Sequence, residues 1–251
     1  MNTDINTLLQ NAYAHHMAGD YIEAIQDYQA SLQLNPRNAN AHYDLHLAYR
    51  DTGQLLLAFQ ELEVAARLLP DDRDVYASKS NLYDMLGGSK NVSVLEEIVE
   101  HLPNDAEDRQ VLLGLLAHRR KDYLQALIHF KDALREQPDI TFIQGYLGRT
   151  LLFLGRSADA QVALSAATRD DRAKPQDLYN LGAAEARLRR YVVAVHALER
   201  AVQLDQTYYK ALIMLASTEW RLGHWRSAWR HLRQAVKCSP EIQAQRTGVT
   251  A

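Results

Sequence analysis

A period of 34 residues runs through this sequence and restricts its fold more than any other feature. Counting in steps of 34 from Gly19 meets glycine at five of seven positions. The same count from Ala24 meets only Ala or Val, and from Ser31 it meets Ser, Ala or Val. Fixed periods of about 20–50 residues are typical of proteins in which similar structural units stack on one another.

Each unit has the pattern of two helices. Leu181 and Gly182 belong to the face of a first helix, and Ala194, Leu198 and Ala201 follow one another on a second helix at helical spacing. Small residues at Gly182 and Ala194 let the two backbones approach closely, while the larger residues fill the remaining space. The pattern therefore predicts pairs of packed helices.

The glycines and prolines at the ends of the helices support this prediction. Glycine at the turn supplies the positive φ that ends a helix at little cost. Pro36, Pro70 and Pro138 end the second helix, because the residue before proline avoids the α region. One helix pair cannot bury both of its faces, so the units must stack.

These residues resemble the tetratricopeptide repeat family. The resemblance implies an all-α, right-handed superhelical solenoid of helix-turn-helix repeats, whose first helices line a concave groove. It covers residues 5–242, between an N-terminal extension at 1–4 and a C-terminal tail at 243–251. The seven predicted repeats are 5–38, 39–72, 73–106, 107–140, 141–174, 175–208 and 209–242.

The third repeat, 73–106, is degenerate. Lys79 replaces a large apolar residue, and Glu96 stands at an inward position. Pro103 comes one residue early, which indicates a deletion that rotates the second helix and turns Leu95 inward. We therefore expect residues 107–251 to fold without residues 1–106. In the fifth repeat the final proline is missing, and Pro175 is predicted to start the next helix.

Composition excludes several classes of protein. No apolar run approaches the roughly 18–20 residues that span a bilayer, and the sequence from Met1 to Asn6 lacks the features of a secretion signal. Cys238 is the only cysteine, so a disulfide framework and a thiolate metal cluster are excluded. These features predict a cytoplasmic protein that does not insert into membranes.

The sequence carries no recognisable catalytic or cofactor motif. It has no phosphate-binding glycine loop and no HExxH motif, so we expect neither an enzyme nor a cofactor. His42 and His46 lie four residues apart on one helical face, as metal ligands would. No third ligand is fixed near them by spacing, and we interpret both as structural. His231 and Cys238 lack an evident orienting group, so a catalytic pair is not predicted.

The first helices of the C-terminal half supply the predicted binding groove. The resemblance implies that ligand contacts come from first-helix residues that do not pack within their own repeat. Their mixture of aromatic, aliphatic and arginine side chains is typical of binding hot spots. They are Phe142, Tyr146, Arg149, Phe153, Tyr179, Asn180, Arg187, Lys210, Ile213, Met214, Trp220 and Arg221.

Asn180 and Lys210 also bear on the kind of ligand. Asn180 occupies a position where many members of the family hold a bound peptide backbone through a side-chain amide. Together with Lys210 it matches two of the five positions that bind a terminal carboxylate in the chaperone-tail receptors of the family. A dedicated receptor of that kind is not predicted.

Charge divides the chain into an acidic and a basic part. Residues 1–106 hold 6 Lys+Arg and 16 Asp+Glu, whereas residues 107–251 hold 22 and 15. Near the basic end, Trp229 is predicted to face the place where another repeat would stack, beside Arg226, Arg230 and Arg233. This surface is a candidate interface for a partner or for the acidic half of a second copy. The alternative is that the C-terminal tail folds over Trp229.

The function that the sequence favours is a non-enzymatic scaffold or adaptor that binds a peptide segment of a partner protein in its groove, in assembly or secretion of a larger complex. The alternative is a nucleic-acid-binding repeat protein that uses the basic C-terminal half, with tryptophans as stacking groups. Nucleic acid is the less favoured partner, because the motifs resemble the tetratricopeptide family rather than its RNA-reading relatives and the overall pI is about 6.4.

Overall fold

The structure is a computed structural model that describes residues 4–88, 91–103, 106, 108–136, 141–169 and 173–239. In that part of the chain there are fourteen α-helices and no strand, which confirms the all-α prediction. The helices are α1 Ile5–Ala18, α2 Tyr21–Leu34, α3 Ala39–Asp51, α4 Leu55–Leu68, α5 Arg73–Leu86, α6 Val92–His101, α7 Arg109–Arg119, α8 Tyr123–Glu136, α9 Thr141–Phe153, α10 Ser157–Ala167, α11 Pro175–Arg187, α12 Tyr191–Leu204, α13 Tyr209–Arg221 and α14 Trp225–Cys238.

The helices form two compact units. Unit 1 is Met1–Leu112 and unit 2 is Leu113–Ala251, so the division falls within α7. In unit 1, α1 packs on α2, α2 on α3 and α3 on α4. In unit 2, each helix from α8 to α14 packs on the next. The division into seven repeats stays a prediction, and its C-terminal tail at 243–251 lies outside the described residues.

The turns between paired helices use the left-handed backbone region. Lys121 and Arg189 reach it without glycine, at φ values of 63° and 61°. Gly87 departs from the prediction, because α5 ends there with a φ of −66°. The glycines at the other turns have the predicted positive φ, and they are Gly19, Gly53, Gly155 and Gly223.

Glycines within the helices allow the paired helices of unit 2 to pack closely. A Cβ on Gly114 would lie 2.6 Å from a ring carbon of Phe130, and Gly148 is similarly crowded by Leu164. Real Cβ atoms do not approach other atoms this closely, so these positions have no room for a side chain. Pro175 is the first residue of α11, as predicted.

The degenerate third repeat contains a buried ion cluster. The Lys79 amine lies 3.1 Å from a Glu63 carboxylate oxygen and 2.5 Å from one of Asp108. Burial and the nearby Asp108 raise the pKa of Glu63 to about 7, whereas Lys79 holds the pKa of Asp108 below its usual value. Leu95 is fully buried, as the predicted rotation requires. The buried charge of Lys79 is therefore compensated by Glu63 on α4 and by Asp108 just before α7.

Candidate functional site

A groove in unit 2 encloses a cavity of about 600 Å³, which we call the unit-2 cavity. It lies along α9, α11 and α13, with the turn before α12 and the start of that helix at its edge. Its lining consists of Arg149, Leu152, Phe153, Tyr179, Asn180, Ala183, Ala186, Arg187, Arg189, Tyr191, Met214, Ser217, Thr218 and Arg221.

The sequence of α11 explains why one of its faces is open. Gly182 faces Leu198 of α12, so this side of the helix is closed by close packing. Tyr179, Ala183 and Ala186 follow one another at spacings of four and three and face the cavity. The two alanines carry short side chains, and the space that they leave forms part of the cavity volume.

Four arginines give the cavity its positive charge. They are Arg149, Arg187, Arg189 and Arg221, and no Asp or Glu is among the described residues that line the cavity. The guanidinium of Arg149 lies 4.7 Å from the centre of the Tyr146 ring, and that of Arg221 lies 5.7 Å from the Tyr191 ring. Stacking on aromatic rings orients these cations without neutralising them.

Arg187 is held by a different contact. Its Nη1 donates a hydrogen bond of 2.7 Å to the carbonyl oxygen of Leu152, near the C-terminus of α9. A cation at this end of a helix also interacts favourably with the helix dipole. Arg187 therefore fixes α11 against α9 and lines the cavity with a positioned side chain.

Asn180 places an unpaired donor in the wall of the cavity. The residue is 5% exposed, and its Nδ2 has no acceptor within the described residues. Its Oδ1 accepts a long hydrogen bond of 3.5 Å from Gln176 Nε2. A buried donor without an acceptor costs about 1–3 kcal/mol, which a ligand carbonyl or a water molecule would recover. Nε of Arg149 is a second buried donor without a described acceptor.

Arg189 lies in a conformation that glycine would adopt more readily. Its φ of 61° is in the left-handed region, and Gly155 and Gly223 occupy the equivalent turns of the neighbouring repeats. A non-glycine residue in this region costs on the order of 1 kcal/mol. The chain thus places a cation at the cavity where glycine would satisfy the backbone better.

An aromatic cluster supports the cavity at the end of α9. The rings of Tyr123 and Phe153 are stacked with centroids 4.7 Å apart, and His118 contacts both rings edge-on. The Thr150 hydroxyl donates to the Tyr146 carbonyl oxygen, so the 2.9 Å contact from Thr150 Oγ1 to His118 is a hydrogen bond donated by His118 Nδ1. Burial, together with the positive charge of Arg149, lowers the pKa of His118 to about 3.

The cavity brings together most of the predicted groove residues. Seven of the twelve line it, namely Arg149, Phe153, Tyr179, Asn180, Arg187, Met214 and Arg221. Phe142 and Tyr146 do not, because they are buried at 7% and 5% exposure in the packing of α9. Lys210, Ile213 and Trp220 are exposed elsewhere on α13.

Sequence reasoning missed half of the cavity lining. Ala183 and Ser217 lie 34 and 68 residues after Arg149, so the period itself could have identified them. Leu152 and Ala186 are 34 residues apart and are a second example of this signal. Arg189 lies in a turn and Tyr191 begins a second helix. The expectation that ligand contacts come from first helices could therefore not identify them.

The predicted C-terminal interface residues lie on α14. Trp229 is 55% exposed, and Arg226, Arg230 and Arg233 are exposed beside it. Trp225 is also half-exposed, although its ring contacts Trp220 edge-on with centroids 4.4 Å apart.

The histidines considered as metal ligands have other partners. His42 contacts the Glu61 carboxylate at 2.6 Å and the Pro36 carbonyl oxygen at 3.0 Å. His46 Nδ1 lies 2.9 Å from the Ala58 carbonyl oxygen. The described residues contain no group of three or more His, Cys, Asp or Glu side chains that could hold a metal ion. Nor do they include a helix of sufficient length and apolar character to cross a membrane.

Comparisons with known proteins identify the same repeat in both units. Residues 12–53 match the pattern described as TPR repeat, and residues 147–209 match that described as Tetratricopeptide repeat. Superkiller protein 3 of Schizosaccharomyces pombe is 26% identical in an alignment of 218 residues that covers 81% of this chain. The matched part is 15% of the length of that curated relative.

Solved structures agree on the fold. The structure of the APC/C hetero-tetramer Cut9–Hcn1 has a TM-score of 0.61 at 13% identity, covering 94% of this chain and 47% of the other. PilF of Pseudomonas aeruginosa has a TM-score of 0.56 at 16% identity, covering 97% of both chains. Proteins built from such repeats are in general scaffolds for protein–protein interaction. The chain thus contains tetratricopeptide repeats in both of its units.

Proposed function

We propose that this protein is a non-enzymatic scaffold whose unit-2 cavity binds an acidic, extended segment of a partner protein. The observation that carries the proposal is the cavity lining, in which four arginines and the unpaired Asn180 amide occur without a described carboxylate. The bound segment connects the partner to a larger complex, as the repeat architecture favours.

The arginines define the chemistry of the ligand. A guanidinium group presents parallel N–H donors that match the two oxygens of a carboxylate. Arg149 and Arg221 are already stacked on tyrosine rings, so little side-chain freedom is lost when a carboxylate binds. Asp and Glu side chains of an extended segment fit this arrangement.

The remaining lining supplies backbone recognition and apolar contact. In this proposal the side chain of Asn180 turns so that its Nδ2, which has no described acceptor, donates to a carbonyl oxygen of the bound segment. Phe153, Tyr179 and Met214 give an apolar surface around the charges. A volume of about 600 Å³ lies within the range of about 300–1,000 Å³ typical of ligand pockets, so we expect a few side chains to be enclosed.

The experiment is a selection of peptides from a random displayed library on the immobilised protein, followed by fluorescence anisotropy with the selected sequences. We expect enrichment of Asp and Glu next to an apolar residue. Asn180→Ala and Arg221→Ala should each weaken binding by about fivefold or more. Arg200→Ala is the matched control, because Arg200 is an exposed arginine of α12 that does not line the cavity.

Two outcomes would contradict the proposal. One is selection of peptides without acidic enrichment, and the other is equal weakening by Arg200→Ala and Arg221→Ala. The nucleic-acid alternative is tested with a labelled single-stranded oligonucleotide at two salt concentrations. Tight oligonucleotide binding that collapses with salt and requires Arg221 would favour that alternative.

A further inference from the structure

Leu232 differs from the equivalent residue in most of the other second helices. Counting back from it in steps of 34 meets six residues, and five of them are 0–1% exposed, whereas Leu232 is 38% exposed. The sixth is Glu96 of the degenerate third repeat, which is partly exposed. The five buried residues are Leu198, Leu164, Phe130, Leu62 and Tyr28. The repeat normally covers this position.

The neighbouring pair α12 and α13 shows how the surface of α12 next to Leu198, the residue equivalent to Leu232, is covered. Ala201 of α12 is buried with Ala211 of α13, and Val202 and Tyr208 pack against the same cluster. The residue of α14 equivalent to Val202 is Val236, which is 40% exposed. Trp229, Leu232 and Val236 follow one another at spacings of three and four, so they form one apolar stripe along α14. In the preceding repeat a helix packs against the equivalent surface.

A basic stripe runs beside the apolar one. Arg226, Arg230, Arg233 and Lys237 recur at spacings of four, three and four, and α14 contains no Asp or Glu. The equivalent positions of α12 are Val192, His196, Glu199 and Gln203. The stripe is therefore not required by the repeat itself, and it gives this surface a strongly positive border.

We propose that the exposed face of α14 binds an acidic amphipathic helix of another protein, which occupies the place of a further first helix. Apolar side chains of that helix pack on Trp229, Leu232 and Val236. Its acidic side chains pair with Arg226, Arg230 and Arg233 along the border. The apolar stripe and the basic border together specify the shape and the charge of the partner. This proposed site is separate from the unit-2 cavity.

A second copy of the chain fits this surface less well. In a head-to-tail arrangement α14 would meet α1 of the next copy, as α12 meets α13. Leu8 of α1 is equivalent to Leu212, but the α1 residues equivalent to Ala211 and Leu215 are the polar Thr7 and Asn11, so the apolar complement is incomplete. A face-to-face arrangement would place two basic stripes together, and like charges oppose such a dimer.

The probe for this site comes from the helix that covers α12. A fluorescein-labelled peptide of residues 205–223 keeps Ala211, Leu212 and Leu215, which are the buried contact residues of α13. The acidic probe carries glutamate at four exposed positions, and the control probe carries lysine at the same positions. These positions are Lys210, Ile213, Ser217 and Arg221.

Fluorescence anisotropy with the full chain gives the test. We expect the acidic probe to bind at least about tenfold more tightly than the lysine probe at low salt, with the difference reduced at high salt. Trp229→Glu should abolish binding, while Val192→Glu, an exposed apolar position of α12, should leave it unchanged. Arg221→Ala should also leave it unchanged, which separates this site from the unit-2 cavity. If Trp229→Glu disturbs the fold in circular dichroism, Arg230→Glu replaces it.

Several results would overturn this inference. Equal binding of the two probes, or binding unaffected by Trp229→Glu and Arg230→Glu, would exclude the proposed surface. Sedimentation that shows self-association abolished by Trp229→Glu would assign the surface to a second copy. Co-sedimentation with vesicles of phosphatidylcholine and phosphatidylserine that depends on Trp229 would assign it to an anionic membrane.

Discussion

A Cβ built on Gly182 would lie 2.5 Å from Cγ of Leu198, so the backbone of α11 rests directly on a side chain of α12. Leu198 is fully buried at this contact. The two helices can pack this closely because Gly182 lacks a side chain. This packing fixes the position of α11, whose opposite face lines the unit-2 cavity.

Replacing this glycine should therefore destabilise unit 2. Gly182→Ala forces Leu198 to move in a packed interior, and we expect a loss of about 1–3 kcal/mol in the free energy of unfolding. All three tryptophans lie in unit 2, so urea denaturation followed by tryptophan fluorescence reports on this unit. In a double-mutant cycle, Leu198→Ala should remove part of the penalty. Full additivity of the two substitutions would contradict the contact.

The ion cluster of unit 1 should make its stability depend on pH. The pKa of Glu63 is raised to about 7 from a usual value of 4.5, mainly by burial. Its contribution to stability is fully present below pH 4.5 and is lost as the pH rises towards 7. Glu63→Gln should flatten this dependence in hydrogen exchange of α4 and α5. An unchanged pH profile in the variant would show that Glu63 is not responsible.

Lys79 has the opposite role in the same cluster. Lys79→Met leaves the Glu63 and Asp108 carboxylates without their cation, and we expect a loss of about 3–5 kcal/mol at neutral pH. The loss should be smaller near pH 5, because Glu63 is then protonated. Lys131→Met, at an exposed position of α8, is the control. Equal effects of the two substitutions would mean that the cluster does not stabilise unit 1.

Acid should weaken unit 2 through His118. The pKa of this residue is lowered to about 3 from a usual value of 6.5, because the neutral ring is buried near Arg149. Its contribution to stability is present above pH 6.5 and is lost as the pH falls towards 3. His118→Gln should reduce the acid-dependent loss between pH 6.5 and 4 by about 3 kcal/mol in urea denaturation. The same slope in wild type and variant would contradict this assignment.

Replacing Arg189 by glycine should relieve backbone strain and weaken ligand binding. Arg189→Gly relieves a positive φ but removes one of the four cavity cations, so acidic peptides should bind about threefold less tightly. Lys121→Gly relieves the same kind of strain at φ 63° in a residue that does not line the cavity. Peptide affinity should be unchanged in that control. Equal affinity of both variants for the peptide would exclude Arg189 from the binding site.

The two compact units also lead to a prediction about independent folding. Fragment 107–251 contains the whole of unit 2 and the start of α7. We expect it to be soluble, with helical circular dichroism and a cooperative thermal transition, because repeats derive stability from their nearest neighbours. A soluble fragment without helical signal would show that unit 2 depends on unit 1.

The 34-residue period predicts most of the local structure because each repeat buries the same positions. The tight contact at Gly182, the helix start at Pro175 and the burial of Leu95 all follow from this period and its one interruption. The period cannot predict the partners of Lys79, since Glu63 and Asp108 lie outside the repeat positions that the pattern compares.

The candidate site was predicted less completely than the fold. First-helix spacing placed Arg149 and Arg221 on the cavity, but it could not tell that Phe142 and Tyr146 are buried between neighbouring helices. Whether an aromatic side chain packs or remains open depends on the volume of residues from other helices, which one helix pattern does not contain. Arg189 reaches the cavity through a turn conformation that favours glycine.

Hydrogen exchange of the full chain, measured with and without a saturating selected acidic peptide, shows most directly whether the peptide binds in the unit-2 cavity. We expect slower exchange in α11 and α13, where the cavity residues lie, and little change in α10 and α14. Asn180→Ala should remove the protection at a peptide concentration that saturates the wild type. Protection confined to α14, or to the helices of unit 1, would contradict the assignment of peptide binding to the unit-2 cavity.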